Sequence, residues 1–148
     1  MRVQLNLAPF ACDYGDLWES VDLVVANRAE LDIHFGTPDP RVAALRLFAR
    51  GVRAVVATAG PGGAWWLEPE RAFHVPAPRV AAVDTTAAGD VLAGVLAAEL
   101  HRGAGPSDAL RLAVHAASLA VTRPGAVPSI PSAAEIERLR RELAGGEP

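Results

Sequence analysis

The sequence predicts an α/β fold built on a mainly parallel sheet, and two observations carry that prediction. Short apolar runs at residues 3–7, 21–25 and 53–58 alternate with stretches of helical periodicity, as strands buried on both faces do. From Ala88 onward the pattern is helical almost to the end. Strand, helix, strand and then terminal helices is the order of a layered α/β protein.

The elements follow in turn. Residues 3–7 and 21–25 read as buried strands, and Arg28 to His34 as a helix that Gly36 stops. Asp39-Pro40 offers an N-cap followed by proline at the first helical position, with Val42, Leu45 and Phe48 as the apolar stripe and Gly51 as the stop. Arg53 to Thr58 is β-branched and apolar, a third strand. Ala64–Leu67 and Arg71–Val75 flank Glu68-Pro69-Glu70, the pattern of a hairpin. Residues 88–102 are apolar nearly all round, as in a helix enclosed by protein, and Gly103 stops them. Residues 107–122 carry Leu110, Ala113, Val114, Ala117 and Val121 at core spacing. The last helix opens with Ser132 and Glu135, a capping box, and runs through Ile136, Leu139 and Leu143.

Composition narrows the function. The 148 residues suffice for one domain with a core, and 51% hydrophobic with 21% charged residues is ordinary for a globular chain. A net charge of -3 offers no broad cationic surface, so no nucleic acid partner is expected. All 14 basic residues are Arg, which excludes a P-loop lysine, a protein-kinase phosphate lysine and a Schiff base. Cys12 is the only cysteine, leaving no disulfide framework, and His34, His74, His101 and His115 lack metal-site spacing. The opening residues lack an apolar signal core, and the longest apolar run, Val91 to Ala98, is far too short to span a bilayer. No membrane partner and a cytoplasmic location are the expectation.

Chemistry concentrates in Ala82 to Gly94, AVDTTAAGDVLAG. An extended segment leads through small residues into an apolar helix. Ala87, Ala88 and Gly89 let a ligand approach the backbone, and their N–H groups lie where a helix collects unpaired donors and positive dipole, a natural phosphate site. Asp90 stands in the first turn beside that anion site. It either complements the dipole or accepts the proton of an attacking hydroxyl while the amides hold a transferring phosphoryl group.

Asp84-Thr85-Thr86-Ala87-Ala88-Gly89-Asp90 is similar to the second signature of the ribokinase-type (PfkB) carbohydrate kinases, many of which have Gly where Ala87 stands. Asn6-Leu7-Ala8-Pro9 resembles their Asn-Pro-Ala-Pro strand end. Asn27-Arg28-Ala29-Glu30 matches Asn-x-x-Glu, and Thr58 to Gly63 matches Thr-x-Gly-x-x-Gly. Residues 111–131 look particularly like ribokinase. The resemblance implies a ribokinase-like three-layer sandwich, truncated to the C-terminal nucleotide-binding half, with residues 1–148 as a single partial domain. The N-terminal sugar-binding half and lid of the family have no counterpart here.

The resemblance further implies ATP-dependent phosphotransfer to the primary alcohol of a sugar. Asp90 would be the general base and the amides of Ala87, Ala88 and Gly89 the anion hole. Asn27 and Glu30 would lie near the phosphates and magnesium shell, Glu30 through water; a helix cap and its first-turn Glu is the plain alternative. Thr58, Gly60 and Gly63 would border the nucleotide, where a simple glycine turn looks much the same. His115 would flank the adenine, or be an ordinary helical His. Asp84, Thr86, Ala120, Arg123, Gly125 and Ser129 match the family's monovalent-cation site, usually potassium, several through carbonyl oxygens; Asp84 and Ser129 also suit turns. A half-fold of this kind is expected to expose a sheet edge and to meet an oligomer or a partner chain there. The competing reading is a catalytically incomplete nucleotide-binding module or one part of a split kinase. A dinucleotide fold is disfavoured, because the only glycine cluster, at 60–63, has the wrong spacing.

Overall fold

The computed structural model describes residues 3–7 and 14–145; Ala8, Pro9 and Cys12 lie outside the described residues. The chain divides into two compact units, Met1–His74 and Val75–Pro148.

The first unit is organised by a sheet. Its strands are β1 (Gln4–Asn6), β2 (Leu23–Asn27), β3 (Ala54–Thr58), β4 (Ala64–Leu67) and β5 (Ala72–Val75), and they lie in that order. β1, β2 and β3 are parallel, whereas β4 runs antiparallel to β3. The sheet is therefore mixed but mostly parallel, as the sequence predicts. Leu23 to Ala26 and Ala54 to Ala57 are buried without alternation, so β2 and β3 are covered on both faces. A 3-10 helix at Gly15–Ser20, which the sequence reading lacked, contributes buried Trp18.

Two helices accompany the strands. α1 (Arg28–Phe35) ends where Gly36 takes the left-handed conformation, φ 60°, and its N–H bonds Asp32 at 2.7 Å. α2 (Pro40–Phe48) begins as expected, with the Asp39 carboxylate accepting from the Arg41 N–H at 2.9 Å. Its buried face differs from the expected stripe. Ala43, Ala44 and Leu47 face the core, while Val42 is 39% and Leu45 66% exposed and Phe48 is half-buried. Both stripes have helical spacing; the one with two alanines lets the helix approach its neighbours closely, and bulk alone selects the wrong one. Leu7, Trp18, Val24, Leu31, Phe35, Leu47 and Val55 belong to one core cluster with these alanines.

The second unit is helical: α3 (Ala88–His101), α4 (Pro106–Ala120) and α5 (Ala133–Gly145). α3 is not enclosed all round. Val91, Leu92, Ala93, Leu96 and Glu99 are buried, but Gly94, Ala97 and Ala98 are exposed, since alanines and glycine tolerate water on an outer face. On α4, Leu110, Ala113 and Val114 are buried as expected, while Ala117 and Val121 are half-buried. Val91, Ala116 and Ala120 form a core patch against which Val95, Ile136 and Leu139 pack. Among the described residues, no helix is long and apolar enough to cross a membrane.

α5 is held by its capping box and by two arginines. Glu135 accepts from the Ser132 N–H and hydroxyl, each at 2.9 Å, and from Arg123. The Arg123 guanidinium, with Ser132 behind it, draws the Glu135 carboxyl down from 4.5 to about 2. Its folded value lies below its unfolded one, so this contribution is fully present above pH 4.5 and is lost as pH falls from there towards 2. Glu135→Gln is accordingly expected to be less stable than wild type at pH 7, with the gap narrowing as pH falls through 4.5 and closing only towards pH 2. Thermal unfolding of both proteins across that range checks this.

Candidate active site

The candidate residues of the first unit gather at the carboxyl ends of the parallel strands, where open α/β sheets bind ligands. Asn27 closes β2 and Thr58 closes β3, and the two are register partners. Asn27 Oδ1 accepts from the Glu30 N–H at 2.9 Å, and Glu30 Oε2 accepts from the Asn27 N–H at 2.8 Å. Asn-x-x-Glu is thus a capping box here, the plain alternative weighed for it. It uses one oxygen of each side chain.

Beyond Thr58 the chain makes a short 3-10 turn, Gly60–Gly62, before β4. Gly60 has φ 54° and Gly63 φ 88°, ψ -138°, conformations that a Cβ makes costly. The turn is tied internally by Ala59 N–H to Gly63 O at 2.8 Å and by Gly62 N–H to Ala59 O and Gly63 N–H to Gly60 O, each at 3.0 Å. One further tie comes from a residue the sequence reading passed over. His74 Nε2 lies 2.7 Å from the Gly62 carbonyl oxygen, and its ring packs on Trp65. An isolated His in a short strand gives no signal of such a contact.

In the second unit, Asp84 pulls two distant segments together. Its Oδ1 accepts from the Thr86 N–H at 2.9 Å and the Thr86 hydroxyl at 2.6 Å, and its Oδ2 from the Gly125 N–H at 2.9 Å. These bonds, the Thr86 hydroxyl first, hold the Asp84 carboxyl below its usual range. Val83 and Asp84 N–H groups both reach Val121 O, at 2.8 and 3.2 Å. The other positions matched to a cation site lie along the same segment. Ala120 O accepts from the Arg123 N–H at 3.0 Å, Arg123's guanidinium is engaged with Glu135, and buried Ser129 donates its hydroxyl to Ala126 O at 2.7 Å. The segment is rich in carbonyl and carboxylate oxygens, a donor set that suits a hard cation. Asp84 brings Thr86 and Gly125 together; Ser129 is committed to its own turn.

α3 begins without a side-chain cap. Its N-cap, Ala87, has φ 64° and ψ 3°, and it is the one non-glycine residue with positive φ among the described residues. Thr85 to Ala88 make a turn in which the Ala88 N–H reaches Thr85 O at 3.3 Å, a long bond that occupies one of the three expected anion-hole amides. Asp90 is exposed, and not turned into the interior. His115 on α4 is half-buried, with Nδ1 2.8 Å from Arg111 O, a contact that requires the proton on Nδ1.

Left-handed alanine is a local strain that glycine relieves, offset in part by the freer unfolded chain. Ala87→Gly is therefore expected to stabilise the second unit by about 0.5–1 kcal/mol. Urea unfolding with an unchanged slope would measure it, and a destabilised variant would contradict the strain.

A family model described as pfkB family carbohydrate kinase matches residues 1–133. The deoxyribokinase of Salmonella typhi is 37% identical over 99% of this chain and 49% of its own length. Among solved structures, the ribokinase of Thermotoga maritima superposes with a TM-score of 0.86 at 31% identity, over 95% of this chain and 49% of that one. The ribokinase of Arabidopsis thaliana, solved with ribose and ATP, gives 0.87 at 27% identity, over 95% and 47%. The fold is ribokinase-like, and the chain spans about half the length of these relatives.

Proposed function

Because the chain belongs to the pfkB family of carbohydrate kinases, we propose that it serves ATP-dependent phosphorylation of the primary alcohol of a pentose. The observation that carries this reading is the start of α3: no side-chain cap, a strained Ala87 ahead of it, and exposed Asp90 in its first turn. Strain of this kind gathers at ligand-handling turns. Relatives named for ribose and deoxyribose support a pentose acceptor, and the solved relative that holds ribose and ATP supports ATP as donor.

In this reading Asp90 accepts the proton of the sugar hydroxyl as its oxygen attacks the terminal phosphorus of ATP, whose bond to the β-phosphate oxygen breaks and releases ADP. The amides at 87–89 face the charge that builds on the transferring group. The Ala88 amide gives up a long turn bond for a shorter, charge-assisted one. Thr58, Gly60 and Gly63 border the nucleotide, and His115 flanks its base. Asn27 and Glu30 lie near the phosphates and the magnesium shell: the Asn27 amide NH2 that the capping box leaves over would donate to a phosphate, and the remaining Glu30 oxygen would reach the shell through water. A magnesium ion when bound supplies charge neutralisation between phosphates. The oxygens around Asp84, Thr86, Ala120, Arg123, Gly125 and Ser129 are the donor set for potassium. This reading expects a cytoplasmic protein with nucleotide and sugar as partners rather than nucleic acid or membrane.

A second reading is nucleotide binding without turnover, as a module or one part of a split kinase that meets a partner chain or its own copy. It is favoured by the Ala88 amide already bonded to Thr85 O and by the Asn27–Glu30 capping box, which occupy part of the candidate site. Calorimetry with a non-hydrolysable ATP analogue, beside a coupled assay with ribose and 2-deoxyribose, separates the two. Pentose-dependent ADP formation supports the kinase. Analogue binding without turnover supports the module, and no binding at all removes both. Sedimentation at high concentration reports the association, which a stable monomer would contradict.

A further inference from the structure

The turn at 58–63 carries a constraint from outside itself. Three of its N–H groups, those of Ala59, Gly62 and Gly63, are consumed by its own carbonyls. The Gly62 carbonyl is instead taken by His74 on β5, with Nε2 at 2.7 Å. Since a carbonyl only accepts, the proton of that bond sits on Nε2. The imidazole is oriented by Trp65 of β4, centroid to centroid 4.7 Å and 35° between planes, and the Arg41 guanidinium carbon lies 5.8 Å from the same indole. Glu68 N–H to Arg71 O at 2.8 Å closes the β4–β5 hairpin, and the Trp65–His74 and Trp66–Phe73 ring contacts follow it as cross-strand pairs.

The turn needs such a hold. Gly60 and Gly63 both have positive φ, and glycine has the widest choice of conformations to lose. Left to itself, a run of Gly-Pro-Gly-Gly samples many shapes, and a ligand that requires one of them binds more weakly by the fraction of time it is absent.

We propose that His74 is a positioning residue: packed against Trp65 and donating Nε2–H to the Gly62 carbonyl, it fixes the 58–63 turn in its ligand-ready shape and so raises affinity for adenine nucleotide. This rests on the reading that the turn borders the nucleotide. The tilted ring contact sets the direction of the ring, and the bond sets the height of the Gly62 peptide. His74 touches no reacting atom.

The test uses the full chain, with two readouts and three variants. His74→Phe keeps a ring on Trp65 but removes the donor, His74→Ala removes both, and His74→Gln returns an amide donor. Hydrogen exchange at Ala59, Gly62 and Gly63 is followed without ligand, and the Kd of a non-hydrolysable ATP analogue is measured by calorimetry. The inference expects His74→Phe to speed exchange at those three amides alone and to weaken the analogue about fivefold to tenfold. His74→Ala should go at least as far, and His74→Gln should recover most of both. A purely structural role would instead speed exchange across β3, β4 and β5 together. Analogue binding unchanged in His74→Phe and His74→Ala overturns the inference. Should the wild-type chain bind no analogue, the nucleotide reading of the turn falls, and exchange alone decides the latch. Faster exchange confined to the turn then upholds it, and unchanged exchange overturns it.

Discussion

Asp90→Asn is expected to lower pentose-dependent ADP formation by about 10²–10⁴-fold, the range a positioned general base supplies. The amide is nearly the same size and shape as the carboxylate but does not take up the hydroxyl proton. Because Asp90 is exposed and asparagine keeps its size and shape, the fold and the unfolding midpoint should change little. Affinity for the ATP analogue should hold or rise slightly, since a negative charge beside the phosphates is gone. Steady-state kinetics with varied pentose, beside calorimetry, checks each part. Full activity in the variant would remove Asp90 from the chemistry and leave the charge a helix-dipole role.

The second large effect concerns stability. Glu99 is a buried carboxylate on α3, held by Arg140 of α5 through Nη2 at 2.6 Å and Nε at 3.2 Å. Arg102 stands farther off, at 3.9 Å. Removing one partner of such a pair strands the other, which costs more than the pair contributes. Arg140 is partly exposed and Arg102 is near, so the penalty should fall short of the fully buried case. Arg140→Ala is expected to destabilise by about 2–3 kcal/mol and lower the midpoint by roughly 4–12 °C. The double replacement Glu99→Leu with Arg140→Leu should return to within about 1 kcal/mol of wild type. Calorimetric melting of the three proteins decides this, and a variant pair that falls as far as the single would contradict it.

These two sites illustrate what a sequence makes legible. Strands buried on both faces announce themselves as unbroken apolar runs, and caps such as Asp39-Pro40 and Ser132–Glu135 are local enough to read directly. The phase of α2 was not legible, because Val42 with Leu45 and Ala43 with Leu47 obey the same period and only the neighbouring surface chooses between them. Glu99 looked like the end of an apolar run, since its partner lies 41 residues away. The Asp84–Gly125 bond spans the same separation, and only the family resemblance put the two in one group. His74 was invisible, as cross-strand contacts need the hairpin register first. The unusual backbone at Ala87 was hidden too, because an alanine gives no hint of positive φ.

The double-sided burial of β2 and β3 carries one more consequence. In a half-exposed strand a slip of one position turns every apolar side chain to water, and that penalty fixes alignment. Here a slip leaves mostly aliphatic groups inside either way, so the strand interior polices alignment weakly. Polar Asn27 and Thr58, side by side at one end, are what such a shift would drag inward, breaking the Asn27–Glu30 exchange as it went. The residues proposed to border the nucleotide would thus also serve as the ruler against which the sheet is set.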